Sequence, residues 1–380
     1  MTKTFSDLMR DARSLVSVRR LEDATAVIQE ALGGRKGPTG AARHDGPSIE
    51  LKAGAGETSS DRSAKPGPAK FGGVEAFAPF LATRPRFRMP AAQPVPAPVH
   101  LPDGARFETH VYEGPEGSRS FRLYLPSSLP AGPRPLILML HGCTQNPDDF
   151  ARGTRMNAVA EEAGLLVAYP EQPQSANARL CWNWFEPAHQ KAERGEPAIL
   201  AGIVRQVVST QTVDESAIFV AGLSAGGAMA AVLGATHPQL FAGVGVHSGL
   251  PYGAATDVGS ALSLMRSGKG GVAPGARGGP APRLIVFHGD GDRTVHPSNG
   301  GAVAGPSRPD ETVERGVSGG RGYARHLRAG GPLPEVEYWT VEGLGHAWSG
   351  GDAGGTYADP AGPDASREMV RFFLGRPRQP

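Results

Sequence analysis

The stretch from Ser216 to Val232, SAIFVAGLSAGGAMAAV, decides how this sequence is interpreted. Its first part, SAIFVAG, is apolar with β-branched and aromatic residues, which is typical of a buried strand. Its last part, AGGAMAAV, is rich in alanine and is typical of a helix. Between them, Gly222-Leu223-Ser224-Ala225-Gly226 has the pattern G-x-S-x-G, which presents a nucleophilic serine on a sharp turn from strand to helix. The alternative is a flexible link without chemistry.

Segments typical of strands alternate with segments typical of helices on both sides of this stretch. The apolar runs PLILMLHG and LLVAYPEQ precede it, and RLIVFHGDGD and VEYWTVEGLGH follow it. Helical segments lie between them, and one of them begins with Asn146 as the expected cap. This alternation predicts an α/β fold with a mostly parallel sheet and helices on both faces. Two Gly-rich stretches, 251–282 and 298–334, are expected to be loops.

The chain of 380 residues divides into three expected parts. Residues 1–34 form a helical segment, residues 35–104 form a Gly/Pro-rich linker, and residues 105–380 form the catalytic domain. The net charge of +2 provides no basic surface of the kind that binds nucleic acid. No secretory signal is recognisable at the N-terminus, which favours a cytoplasmic location.

A nucleophilic serine needs a histidine as base and a carboxylate that orients it. In this fold the order along the chain is serine, carboxylate, histidine. FHGDGDRTV follows a strand and offers Asp292, with Asp290 as the fallback. EGLGHAWSGG places His346 in a loop after the last strand. His141 and His288 each end a strand before glycine, where a structural hydrogen bond is expected instead.

Two backbone amides are needed to stabilise the oxyanion of an ester's tetrahedral intermediate. Ala225 directly follows the serine and is expected to supply one. The second comes from LHGCTQN, through the amide of Cys143 or Thr144, and we favour Cys143. Cys143 and Cys181 are the two cysteines of the chain, and either they form a disulfide or both are free thiols.

Aromatic residues near these motifs suggest how substrate is held. Trp182 and Trp184 follow Cys181 closely, and Trp348 lies two residues after His346. They are expected to form an apolar platform for a substrate chain, although core packing is the alternative for one of them. We expect no metal site, since no cluster of ligands has the required spacing, and no cofactor.

Five motifs taken together resemble the PHB-depolymerase family of esterases, whose relatives include feruloyl and acetylxylan esterases. They are LHGCTQNPDDFARGTRMNAVAEEAGLLVAYPEQ, CWNWF, VDESAIFVAGLSAGGAMAAVL, HGDGDRTV and GHAWSGG. The resemblance implies an α/β-hydrolase fold and hydrolysis of ester bonds in polyhydroxyalkanoates or similar esters. It places the family's serine, aspartate and histidine at Ser224, Asp292 and His346. It also favours an extracellular location.

Several functions therefore stay open at the level of sequence. The main prediction is a serine esterase acting on poly-3-hydroxybutyrate or its oligomers, and the first alternative is a feruloyl or acetylxylan esterase. A serine peptidase is disfavoured, because no acidic pair suits a free amino terminus. The alternative of a different class is a binding protein. In it, residues 4–32 associate with granules or a membrane surface, and esterase activity is incidental. The sequence does not specify an oligomeric state.

Overall fold

The computed structural model describes residues 101–128, 131–268, 281–330 and 335–375. The expected helical segment 1–34 and the expected linker up to residue 100 lie outside the described residues. The fold below is that of the described part of the expected catalytic domain.

A ten-stranded sheet forms the centre of the fold, and a two-stranded sheet lies apart from it. The strands are β1 Arg106–Gly114, β2 Gly117–Leu125, β3 Arg134–Leu140, β4 Leu166–Pro170, β5 Val213–Leu223, β6 Gly243–His247, β7 Arg283–Gly289, β8 Thr312–Ser318, β9 Arg321–Arg328, β10 Val336–Val341, β11 Trp348–Ser349 and β12 Ala358–Asp359. Their order in the large sheet is β1-β2-β4-β3-β5-β6-β7-β10-β9-β8. The stretch from β4 to β10 is parallel, and an antiparallel pair extends it at each edge.

The parallel strands are apolar because both of their faces are covered. Every residue of β4 and β6 is buried. In β3, Leu136, Leu138 and Leu140 pack into one core cluster, whereas Ile137 and Met139 pack into another. Successive side chains of a strand point to opposite faces, so the two clusters are the two sides of the sheet. The predicted α/β fold is confirmed.

Helices connect the strands, and all but α5 and α6 lie at positions that the sequence predicts. They are α1 Pro147–Thr154, α2 Met156–Ala163, α3 Gly195–Thr210, α4 Ala225–Thr236, α5 Val258–Ser267, α6 Ser298–Ala304 and α7 Ala365–Phe373. Asn146 caps α1 by accepting a hydrogen bond from the Asp149 amide, as expected. α1 and α2 were expected as one helical segment, but Arg155 adopts a left-handed conformation (φ 55°) between them.

The expectation of loops in the two Gly-rich stretches is wrong. The first contains α5, and the second contains α6 and the β8–β9 hairpin. α5 begins with a capping box between Asp257 and Ser260, which satisfies amides at its first turn. The hairpin turns at Gly319 and Gly320, which both have positive φ. The high glycine content of both stretches favoured a prediction of loops over a prediction of helices and strands. In the hairpin, however, the glycines form the turn between the two strands.

Candidate active site

Ser224 lies between the end of β5 and the first residue of α4 on a strained backbone. Its φ of 57° and ψ of −118° lie outside the usual regions for an L-residue. The Ser224 amide donates to the carbonyl oxygen of His247 at 2.9 Å, which ties the turn to β6. Strain of this kind is held by the surrounding structure and concentrates at functional positions. The serine of the sequence motif is thus presented on a sharp turn, as predicted.

The two glycines that flank Ser224 make this turn sterically feasible. A β-carbon on Gly222 would overlap the backbone of Gly226, and a β-carbon on Gly226 would overlap the carbonyl oxygens of Leu140 and His141. The turn therefore packs backbone against backbone between β5, α4 and the end of β3. Any larger residue at either position would push the serine out of place.

His346 and Asp292 are brought together by the loops that follow β10 and β7. His346 Nδ1 lies 2.7 Å from Asp292 Oδ2. Oδ1 of the same carboxylate accepts hydrogen bonds from the amides of Thr294 and Val295, at 2.8 and 2.9 Å. The aspartate is buried, so its orientation is fixed by these partners.

Hydrogen bonding keeps Asp292 in its charged form. Burial on its own would raise the pKa of this carboxyl. Hydrogen bonds from His288 and His346, together with the Val295 amide, outweigh burial and hold the pKa well below its usual range. Because an ionised carboxylate only accepts hydrogen bonds, Nδ1 is the nitrogen that carries the proton in the neutral form of His346, and the lone pair of that form lies on Nε2. This is the tautomer that a general base needs.

Asp290, the fallback of the sequence analysis, lies elsewhere. It is exposed, and its Oδ1 accepts a hydrogen bond from the Gly343 amide at 2.6 Å. This hydrogen bond stabilises a turn, and no hydrogen bond joins Asp290 to His346 among the described residues.

The competing histidines have structural partners, as the sequence predicts for two of them. His141 Nε2 accepts from the Gln172 amide at 3.1 Å, and His288 Nε2 lies 2.9 Å from the Val295 carbonyl oxygen. His288 Nε2 also lies 3.4 Å from Asp292 Oδ2, the oxygen that His346 contacts, so it helps to fix the position of this carboxylate.

Ser224 and His346 line the same pocket, which has a volume of about 430 Å³. Within the described residues, no hydrogen bond joins Ser224 Oγ to His346 Nε2. The bonds of a catalytic site are often longer in the absence of substrate and tighten when it binds.

Hydrogen bonding in the loop after β3 selects one amide for the oxyanion. The Thr144 amide donates to the Arg179 carbonyl oxygen at 2.8 Å, and the Gly142 amide donates to Gln145 Oε1 at 2.9 Å. Neither is therefore available to a substrate. The amide of Cys143 makes no hydrogen bond to another described residue, and Cys143 lines the pocket together with Ala225. This supports the expected pair, Cys143 and Ala225.

Gln145 fixes the oxyanion loop, a role that sequence reasoning missed. Besides accepting from Gly142, its buried amide donates to Asp149 Oδ2 and to the Thr356 carbonyl oxygen, each at 3.0 Å. Asp149 in turn accepts from the Thr356 amide at 2.8 Å. A glutamine three residues after a glycine is too common a pattern to indicate this role in a sequence.

The expected disulfide between Cys143 and Cys181 is confirmed. It ties the oxyanion loop to the segment that carries Trp184. The bridge closes a loop with a sequence separation of 38 residues. By the loss of chain entropy in the unfolded state, such a bridge stabilises the fold by about 4 kcal/mol.

The expectation that three tryptophans contact substrate is supported for Trp184, which lines the pocket. Trp182 and Trp348 are fully buried and lie outside the pocket wall. The Trp182 indole donates to the His141 carbonyl oxygen at 3.1 Å, and the Trp348 indole donates to Ser366 Oγ at 3.1 Å. The expectation for these two is corrected, because their indole groups are satisfied inside the core.

Part of the apolar wall of the pocket comes from α5, which sequence reasoning missed. Val258, Leu262 and Met265 lie on one face of this helix and line the pocket. Val258 and Leu262 are about half exposed (49% and 45%), so this face is open to solvent at the pocket mouth. The spacing of these residues is helical, although the region was expected to be a loop.

The described residues contain neither a membrane-spanning helix nor a group of metal-ligating side chains. No helix there is long and apolar enough to cross a bilayer. No group of three or more His, Cys, Asp or Glu side chains there is arranged to hold a metal ion.

Comparison with known proteins gives curated relatives that are depolymerases or esterases by name. Poly(3-hydroxyalkanoate) depolymerase C of Paucimonas lemoignei is 34% identical over 261 residues, which cover 62% of this chain and 58% of that protein. Probable acetylxylan esterase A of Aspergillus fumigatus is 31% identical over 208 residues, covering 50% of this chain and 54% of that protein. The chain thus spans little more than half the length of these relatives.

Two further matches concern the fold and one domain of this chain. The solved structure of an acetyl xylan esterase from Aspergillus awamori superimposes with a TM-score of 0.54 at 20% identity, covering 71% of this chain and 98% of that one. The family model described as Esterase PHB depolymerase matches residues 119–302. The chain therefore carries an Esterase PHB depolymerase domain at residues 119–302, which confirms the family resemblance predicted from its motifs.

Proposed function

We propose that this chain is a serine esterase that hydrolyses polyhydroxyalkanoate, such as poly-3-hydroxybutyrate, or its oligomers. One observation carries the proposal: Ser224 on a strained turn and His346 bonded to a charged Asp292 line the same pocket. The depolymerase among the curated relatives supports the choice of substrate.

The reaction follows from the positions of these groups. Ser224 Oγ attacks the ester carbonyl, while His346 Nε2 takes the hydroxyl proton and then gives it to the leaving alcohol. Asp292 stabilises the imidazolium that forms in between. The amides of Cys143 and Ala225 donate to the oxyanion, and the first turn of α4 adds the positive end of its dipole. Water, activated by the same histidine, then releases the acid from Ser224.

Replacing the nucleophile tests the proposal. Ser224→Ala is expected to lower kcat for p-nitrophenyl butyrate by about 10⁴-fold or more, because no acyl-enzyme can form. A fluorophosphonate probe is expected to label the wild-type chain and not this variant. Ser209→Ala is the matched control, because Ser209 is an exposed serine on α3. Turnover by Ser224→Ala at the wild-type rate would contradict the proposal.

A second candidate substrate is an acetyl or feruloyl ester of plant polysaccharide. The acetylxylan esterase relatives and the feruloyl esterase B of Neurospora crassa, which is 28% identical over 192 residues, favour it. Acid release from 3-hydroxybutyrate trimer, acetylated xylan and methyl ferulate separates the two. Hydrolysis of the trimer at the highest kcat/KM supports the depolymerase, and a preference for either other ester supports the second candidate.

We also propose that residues 4–32 associate with polymer granules or a membrane surface. The apolar residues of this segment recur at helical spacing, which supports an amphipathic helix of the kind that lies on an apolar surface.

A further inference from the structure

The wall of the catalytic pocket carries one permanent charge. Its lining residues are mostly apolar or neutral and include Arg179, but they include no aspartate or glutamate. Among the described residues, no carboxylate pairs with the Arg179 guanidinium. The pocket that is lined by Ser224 and His346 therefore also presents a cation that pairs with no carboxylate of the described residues, which favours a substrate that brings a negative charge.

The backbone holds Arg179 next to the oxyanion loop. Its carbonyl oxygen accepts the Thr144 amide at 2.8 Å, and its own amide donates to Asn177 Oδ1 at 2.9 Å. Two residues later, the disulfide brings Cys181 to a Cα–Cα distance of 4.2 Å from Cys143. Arg179 is thus anchored on both sides beside Cys143, the proposed oxyanion donor, and its side chain projects from a fixed point.

We propose that Arg179 binds a carboxylate of the substrate, and that the preferred substrates are short hydroxyacid oligomers with a free acid end. The inference rests on the proposed function and specifies its substrate class. In a 3-hydroxybutyrate oligomer, the terminal unit carries its carboxylate two carbons from the carbon that bears the ester oxygen. A guanidinium binds a carboxylate through two parallel hydrogen bonds, which adds orientation to charge attraction.

This preference distinguishes the substrates that the esterase fold allows. An acetyl ester of a neutral sugar offers no carboxylate to Arg179. The interior of a long polyester chain also offers none, since all of its carboxyl groups are esterified. An acid-terminated dimer or trimer offers one close to a scissile ester bond, so it uses the cation, whereas the interior of a polymer chain does not.

The test compares a 3-hydroxybutyrate dimer with a free acid end and the methyl ester of the same dimer, using the full chain. Arg179→Gln is expected to lower kcat/KM for the free acid by about tenfold or more, the effect of losing a charge-assisted hydrogen bond. For the methyl ester the loss is expected to stay below threefold. Arg179→Lys is expected to keep part of the preference, because it keeps the charge without the two parallel bonds.

Arg106→Gln is the matched control, because Arg106 is an exposed arginine at the start of β1 and outside the pocket wall. It removes the same charge and is expected to change neither rate. Equal losses for both dimers in Arg179→Gln, or no loss for either, would overturn the inference. Hydrolysis of p-nitrophenyl butyrate by the wild-type chain tests the proposed function separately. If the wild-type chain does not hydrolyse this ester, the proposed function itself is overturned.

Discussion

Asp292 shows how a single residue is prepared for its role by its neighbours. Two backbone amides bond one of its oxygens, and two histidines face the other. These partners fix the direction of the carboxylate and hold its pKa below the usual range despite burial. The carboxylate is therefore charged wherever the enzyme is expected to work, and it orients His346 by a hydrogen bond to Nδ1.

Asp292→Asn is expected to lower kcat by about 10⁴-fold, because an amide removes the negative charge and favours the wrong tautomer of His346. Steady-state hydrolysis of p-nitrophenyl butyrate measures the loss. Asp290→Asn is the control, because Asp290 is exposed, lies two residues before Asp292 and accepts a hydrogen bond from the Gly343 amide. Activity lost in Asp290→Asn and kept in Asp292→Asn would reverse the assignment.

Sequence reasoning predicted the candidate residues whose positions follow from strand ends. Ser224, Asp292 and His346 each lie within five residues of the end of a parallel strand, and the carboxyl ends of such strands meet at one edge of the sheet. The tryptophans did not follow this logic. Whether Trp182 and Trp184 face the core or the pocket depends on the path of an irregular loop, which neither periodicity nor composition determines.

At the scale of elements, the G-x-S-x-G pattern predicts the turn between β5 and α4, because steric constraints permit only glycine at Gly226. The strand and the helix can approach only if Gly226 has no side chain, because its neighbours are the carbonyl oxygens at the end of β3. By contrast, α5 and the β8–β9 hairpin were missed, since their glycines resemble loop composition. Only the capping residues of α5 and the paired glycines of the hairpin indicate them.

Gly226→Ala is expected to destabilise the fold by about 3 kcal/mol or more and to reduce esterase activity strongly, because the new methyl group overlaps backbone atoms that cannot move freely. Equilibrium unfolding in urea and p-nitrophenyl butyrate hydrolysis measure the two effects. Gly301→Ala is the control. Gly301 lies on α6, and the nearest atom to a β-carbon at this position would be Tyr338 Oη, at 3.9 Å. That change is expected to be neutral or stabilising by about 1 kcal/mol. Equal unfolding free energies for the two variants would contradict the steric argument.

At the scale of the whole molecule, the carboxyl edge of the sheet buries two histidines in their neutral form. His141 directly follows the last residue of β3, and His247 is the last residue of β6. Both side chains are buried. Burial lowers the pKa of His141 to about 4, although a hydrogen bond to Gly142 and the charge of Asp149 oppose it. Burial also lowers the pKa of His247 to about 3; the neighbouring His288 and His346 add to this effect, while the charge of Asp292 opposes it.

These shifts predict that acid weakens the fold before it protonates most carboxylates. The unfolded chain takes up a proton at each of these histidines near pH 6.5, whereas the folded chain resists until about pH 4 and about pH 3. Their contribution to stability is complete above pH 6.5 and declines as the pH falls toward those values, by up to about 1.4 kcal/mol per pH unit for each histidine.

The variant His247→Gln isolates one of these contributions. It removes the titrating ring, and its amide oxygen keeps an acceptor for the Ser349 amide, which bonds His247 Nε2 at 3.0 Å in the native chain. Urea unfolding at pH 7, 6 and 5 is expected to show a shallower loss of stability than in the wild-type chain, by about 1.4 kcal/mol per pH unit below pH 6. The variant is expected to be less stable at pH 7, because the stacking of His247 on Phe287 and Trp348 is lost. Parallel pH profiles for the two chains would show that His247 does not link protonation to folding.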